Sequence, residues 1–230
     1  LRWPDAVLGS QPTRKIVRVA ERTGLILPIG RWVLKTACEQ LQVWRAAGHA
    51  KIRIAVNLSA QELVSEGLAE SVEAALRETN TAPADLDIEL KEDILFREAQ
   101  SGFAICSRLK SLGVRLVVDD YGVGTCSLAH LSQSPIDALK IDNSLISNLE
   151  DNPRDVAACA ATLQMAEALG LEIIAEGIET EHQADVLRNL GCHYLQGFLM
   201  STPMTASETL EYLEFNARGQ ETRKGQSGGS

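Results

Sequence analysis

The residues best able to do chemistry in this chain cluster at the ends of short β-branched runs. Asn57 follows "IRIAV" (52–56), Glu89 closes "LDIE" with Glu92 one short turn on, and Asp119 and Asp120 follow "VRLVV" (114–118). Lys140 and Asp142 lie in "LKID" (139–142), Glu176 and Glu179 follow "EIIA" (172–175), and Gln196 closes "YLQ" (194–196). A single polar residue at a strand end is ordinary, because chains turn there and Asp or Asn caps the next helix. Six strand ends carrying oxygen donors or a lysine point instead to one shared site. The neighbours Asp119 and Asp120 sharpen the question, since adjacent carboxylates repel and burial worsens the repulsion. Either both face water, or a positive charge sits between them.

The set is rich in carboxylates, includes an amide and contains no Cys or His. His49, His130, His182 and His193 form no metal-ligand spacing and read as surface or capping residues. Hard oxygen donors favour Mg2+ or Mn2+ over zinc. Adjacent aspartates can serve two ions ~3.5–4 Å apart, and such a centre clamps the attacking and leaving oxygens of a phosphodiester during in-line displacement. Lys140 on the neighbouring strand would then orient the water or neutralise developing charge. A plainer reading pairs Lys140 with Asp142. Gly122 and Gly124 lack the third glycine of a dinucleotide-binding fingerprint and read as a loop hinged at the site.

These side chains need elements to hold them. The β-branched runs at 52–56, 86–90, 114–118, 138–141 and 172–175, with a weaker one at 194–196, alternate with helical patterns. Helices are expected over 30–48, 67–80, 101–113, 152–170 and 180–191. Their signals are Ser101 and Thr180 as caps, Pro153 at a start, and Gly48, Asn80, Gly113, Gly170 and Gly191 as stops. Strand and helix in alternation imply a parallel sheet, either open and doubly wound or closed as a (βα)8 barrel. Polar residues at one strand end after another favour the barrel, whose sites lie at the C-terminal ends of its strands.

Composition narrows the partners. The chain has 230 residues, 45% of them hydrophobic, which suits one α/β domain. A net charge of −9 argues against polymeric nucleic acid and against contact with an anionic membrane surface. Five scattered cysteines, odd in number and without a CxxC, read as reduced packing residues of a cytoplasmic protein. No apolar run approaches the ~18 residues of a membrane span. The domain is expected over residues 1–216, and the polar, Gly- and Ser-containing stretch 217–230 reads as a disordered or appended tail.

Several segments then carry a resemblance. "LRW" (1–3), "AVNLSA" (55–60), "DIELKED" (87–93), "LVVDDYGVG" (116–124), "LKID" (139–142), "AEGIET" (175–180) and "QGFLMSTPM" (196–204) resemble, in order, the EAL domains, bacterial cyclic di-GMP phosphodiesterases. The resemblance spans Leu1 to about Phe215. It implies a TIM-like (βα)8 barrel with its first strand antiparallel, here N-terminally truncated. It also implies that Asn57, Glu89 and Asp119 bind a first Mg2+ or Mn2+, and that Asp119 with Asp120 binds a second. Lys140 matches the lysine near the attacking water, Glu176 a carboxylate of the metal and water cluster, and Gln196 a residue holding the centre or ligand. Glu92 and Glu179 match supports of the loop after Asp120, and Arg2 an arginine on a ligand phosphate.

The implied reaction is hydrolysis of cyclic di-GMP to linear pGpG, by a homodimer whose parent chain carries sensory or diguanylate cyclase-like domains upstream. Some positions depart from the family pattern. The motif glutamate would lie before Leu1, Lys91 and Val123 stand in place of threonines, and Thr125 and Cys126 replace an aromatic residue and a serine. Two other readings therefore stay open: a receptor that binds cyclic di-GMP without cutting it, and a signalling interaction module.

Overall fold

Six parallel strands follow one another in chain order and pair each with the next, the arrangement that right-handed βα units generate. The computed structural model describes residues 4–5, 9–10, 13–97, 99–124, 127–147, 149 and 152–227. Two short strands, β1 (Pro4–Asp5) and β2 (Gly9–Ser10), form a separate antiparallel pair ahead of helices α1 (Thr13–Thr23) and α2 (Ile26–Ala46). The parallel sheet begins at β3 (Ile54–Leu58), followed by α3 (Ala60–Leu63) and α4 (Leu68–Thr79). Strand β4 (Leu86–Lys91) leads into α5 (Glu92–Arg97) and α6 (Ala99–Ser111), and β5 (Arg115–Tyr121) into α7 (Leu128–Gln133). Then come β6 (Ala138–Ile141), α8 (Pro153–Ala168), β7 (Glu172–Glu176), α9 (Glu181–Asn189), β8 (Tyr194–Gln196) and α10 (Ala206–Ser227). The curled sheet is the larger part of a TIM-like barrel, with helices packed on its outside. Helix α10 continues past residue 216, where the sequence places the end of the domain.

The outward faces of the strands make the core. Leu86, Ile88, Leu90, Leu116, Val118, Leu139 and Ile141 are fully buried against helix residues such as Leu41, Val72, Leu109 and Leu187. Helix α2 buries Ile26, Leu34, Cys38 and Leu41, steps of eight, four and three that make one stripe against α4 and β3. The expected helix starts hold at two helices. Asn152 Oδ1 accepts from Arg154 N at 3.0 Å with Pro153 opening α8, and Thr180 with Gln183 forms a capping box on α9. Helix α6 differs, starting at Ala99 rather than after Ser101. Helix α1 lies outside the expected helices; its apolar residues Ile16, Val17, Val19 and Ala20 fall in a short, charge-rich segment of which only Ala20 is buried.

Strand bounds move in an informative direction. Asn57, Asp119 and Asp120 lie inside their strands rather than after them. Strand alternation explains Asn57 and Asp119, whose inward-facing polar side chains leave the ladder intact, whereas Asp120 sits where the β5–β6 register slips. The opposite, N-terminal end of the sheet is closed by charge. Arg53 bridges Asp87 (3.5 Å) and Glu172 (3.0 Å), and Arg115 bridges the same two carboxylates at 3.4 and 3.1 Å. Among the described residues no helix is long and apolar enough to cross a membrane.

Candidate functional site

The register of the sheet stacks polar side chains at its C-terminal rim. Asn57 pairs with Glu89 across β3 and β4, and Asn57 Nδ2 donates to Glu89 Oε2 at 2.8 Å. The turn after Asn57 is fixed by a capping box in which Ser59 N donates to Glu62 Oε2 at 2.9 Å and Ser59 Oγ accepts from Glu62 N. That Ser-x-x-Glu pattern is readable in the sequence as a helix start directly behind a site residue. Glu89 and Asp119 are both buried, on neighbouring strands.

Lys140 stands at the centre. Its Nζ lies 2.9 Å from Glu89 Oε1 and 3.5 Å from Asp119 Oδ1, and it contacts Glu176 Oε1 at the end of β7. Asp142 instead accepts from Ser144 N at 2.8 Å, capping the turn that follows, so the plainer pairing of Lys140 with Asp142 does not form. Lys140 is 5% exposed. Burial opposes its charge, but Glu89, Glu176 and Asp119 outweigh that and hold the ammonium above its ordinary value. The same burial pushes the carboxyls of Glu89 and Glu176 up, with Lys140 pulling against the shift.

Asp119 and Asp120 come together through a break in the ladder. The β5–β6 register slips between Val118 and Tyr121, and Asp120 adopts φ +57°. That left-handed conformation costs least for Gly, Asn and Asp. As a result, ligand oxygens of Asp119, Asp120 and Glu176 all lie within 4.8 Å of one another. Asp119 Oδ1 is buried and accepts no hydrogen bond. The Lys140 ammonium, 3.5 Å away, reaches it only as an ion pair, so this buried oxygen stays poorly satisfied. Two ammonium groups, of Lys140 and Lys91, face four carboxylates, so negative charge is left over. An all-oxygen donor set with excess negative charge and a buried oxygen that accepts no hydrogen bond fits Mg2+ or Mn2+.

The loop after Asp120 is held from below. Glu92, buried at the start of α5, accepts from Gly122 N at 3.0 Å and Gly124 N at 3.3 Å through Oε2. Gly122 has φ +105°, and a Cβ there would stand 2.5 Å from Leu145 Cδ1. The loop is therefore pinned at its glycines rather than hinged there. Glu179 is exposed, and its backbone N–H donates to Gln183 Oε1 at 2.9 Å; no side-chain contact joins it to that loop among the described residues. Gln196 is exposed at the end of β8, in register with Glu176, and its carbonyl accepts from Ile178 N. Arg2, Thr125 and Cys126 lie outside the described residues.

One site contact was missed from the sequence. Lys91, noted there only as a departure from a family pattern, pairs with Asp120 Oδ2. The hydrogen bond that it donates to Asp120 keeps the Lys91 ammonium above its ordinary value. The available signal was alternation: Lys91 follows Glu89 by two and shares its face of β4.

A curled parallel sheet with an acidic, lysine-centred rim defines an α/β barrel domain with a candidate divalent-metal centre. The chain belongs to the EAL domain family, whose family model matches residues 1–203. It is 40% identical over 210 residues to the bifunctional diguanylate cyclase/cyclic di-GMP phosphodiesterase MucR of Pseudomonas aeruginosa, covering 91% of this chain and 31% of that protein. It is 36% identical over 213 residues to the cyclic di-GMP phosphodiesterase NbdA of the same organism, covering 93% and 27%. The chain thus spans less than a third of the length of these curated relatives. A solved structure of the PaMucR phosphodiesterase in complex with c-di-GMP matches with a TM-score of 0.86 at 40% identity, covering 90% of this chain and 84% of that one.

Proposed function

We propose that this domain is a divalent-metal-dependent phosphodiesterase that hydrolyses cyclic di-GMP to linear pGpG. The observation that carries the reading is the rim cluster: Asn57, Glu89, Asp119, Asp120 and Glu176 around Lys140, with Asp119 Oδ1 left without a hydrogen bond. The relatives named for this activity, and the solved relative holding c-di-GMP, support the same substrate. Asn57, Glu89, Asp119 and Glu176 would hold one Mg2+ or Mn2+, and Asp119 with Asp120 a second. When bound, such ions activate water and neutralise charge on the phosphate.

The chain's own groups have distinct parts. Lys140, held as an ammonium by three carboxylates, donates toward the attacking water and stabilises the phosphorane-like charge, and does not act as a base. Glu92 keeps the loop after Asp120 in place, fixing the angle of that carboxylate. Water adds to phosphorus and the P–O3′ bond breaks. One water proton ends on the departing 3′ oxygen, and at neutral pH the other is released as the 5′-phosphate forms.

Separation of products by anion-exchange chromatography tests this. Wild type with Mn2+ should convert cyclic di-GMP to pGpG, and Asp119→Asn should lose at least about 100-fold in rate. Intact substrate after hours with wild type, alongside tight calorimetric binding, would support a receptor instead. One observation favours that second reading: Asp120 is already engaged by Lys91. We further place the domain in the cytoplasm as part of a longer, homodimeric signalling protein, with sensory or diguanylate cyclase-like domains upstream. The greater length of the curated relatives supports the longer chain and the four free, buried cysteines the compartment, while the dimer rests on the family resemblance alone.

A further inference from the structure

Lys91 has no part in the reaction just described, yet it makes the nearest ionic contact to one of its carboxylates. It is the last residue of β4, in register with Asp119 and on the same face as Glu89. Its ammonium pairs with Oδ2 of Asp120, the residue that the ladder slip and φ +57° turn toward the rim. The two ends of the cluster differ in kind. Lys140 is sealed in, its side chain 6% exposed, whereas the Lys91 and Asp120 side chains are 49% and 38% exposed. A lysine on a four-carbon stem at a half-open rim can swing into water, at the modest cost of an exposed ion pair.

We propose that Lys91 is a tethered monovalent cation at the outer end of the carboxylate pair, which a divalent ion must displace to reach Asp120. The two ion positions are then unequal. Lys140 meets three carboxylates and Lys91 one, so the inner position, on Asn57, Glu89, Asp119 and Glu176, keeps net negative charge and fills first. The outer one fills only when the ion outcompetes Lys91, so divalent-ion concentration governs whether both are occupied. The ammonium balances Asp120 while no ion is present, and its charge rather than its bulk sets the difference. The proposal rests on the metal-centre reading above and concerns binding, not turnover.

Calorimetry and Mn2+ electron paramagnetic resonance on the chain, titrated with Mn2+ alone, provide the test. Wild type should bind Mn2+ in two classes. Lys91→Met, of similar length but neutral, should tighten the weaker class about three- to tenfold and leave the tighter class within about twofold. Lys91→Arg, which keeps the charge, should stay near wild type. Unchanged weak-class affinity in Lys91→Met, or equal tightening in Lys91→Arg, overturns the proposal while leaving the metal centre standing. Failure of wild type and all variants to bind Mn2+ overturns the metal centre and this proposal together.

Discussion

Lys140 on β6 reaches past β5 to Glu89 on β4, with Nζ and Oε1 2.9 Å apart, so one ammonium links strands that are not neighbours in the sheet. With Asp119 and Glu176 on the same nitrogen, it is the counter-ion that lets this rim fold without a metal.

Removing that charge should be costly. Lys140→Met leaves three mostly buried carboxylates facing one another, and stripping a partner from a buried ion pair costs about 3–5 kcal/mol. Urea unfolding in EDTA should report a loss of that order, and added Mn2+ should restore part of it. Turnover of cyclic di-GMP should fall at least about 100-fold. Unchanged stability in EDTA would sink the assignment of Lys140 as counter-ion.

The same cluster gives a pH signature. Burial raises Glu89 and Glu176 above the ordinary carboxylate value in the folded state. A folded-state pKa above the unfolded one contributes stability that is fully present below the unfolded value, about 4.3, and is lost as pH rises through the folded value. The metal-free protein should therefore lose stability as pH climbs out of the carboxylate range. Glu89→Gln and Glu176→Gln should each flatten that slope relative to wild type. Identical slopes for wild type and both variants in EDTA would refute the burial argument.

Cysteine reactivity tests the core. Cys38, Cys106, Cys159 and Cys192 are free and at most 1% exposed. Burial pushes Cys106 up to about 12 and Cys159 up to about 11, and raises Cys38 and Cys192 as well. Thiolate is the reactive form, so these four should label with a disulfide reagent at pH 8 roughly a hundredfold or more slowly than a free thiol. Peptide mapping after brief labelling should find them unmodified in the native protein and fully modified in denaturant. Rapid native labelling of any of the four would place it outside the core.

Much of this arrangement was legible because period-2 and period-3.6 signals are local. The runs at 138–141 and 194–196 became β6 and β8 at those residues, and the βα alternation alone implied a parallel sheet. Convergence on one rim followed from topology, since parallel strands bring their C-terminal ends together. What stayed hidden depended on non-local geometry. The register slip that unites Asp119 with Asp120 leaves no trace in composition, and the ring of Arg53, Asp87, Arg115 and Glu172 joins residues far apart in the chain. The pairing of Lys91 with Asp120 needed both the alternation of β4 and the slip in β5. The competing pairing of Lys140 with Asp142 could be rejected only once Asp142 was seen accepting from Ser144 N.

Glu92 should control the order of the loop that follows Asp120. It is 4% exposed, and one of its carboxylate oxygens accepts from both Gly122 N and Gly124 N. A Cβ on Gly124 would lie 2.5 Å from Glu92 Oε1, so the loop backbone rests directly on this carboxylate. Glu92→Ala strands two amides, a cost of about 1–3 kcal/mol for each buried donor left unpaired. Hydrogen exchange should show protection lost at Gly122 and Gly124 with little change in β3 or β7. Glu92→Gln keeps a carbonyl acceptor and should retain most of that protection. Because Asp120 and Gly122 flank the same turn, Glu92→Ala should also weaken Mn2+ binding, by about 10- to 100-fold as expected for a residue that orients a ligand without touching the ion. Protected glycine amides in Glu92→Ala would mean that the loop is held by something other than this carboxylate.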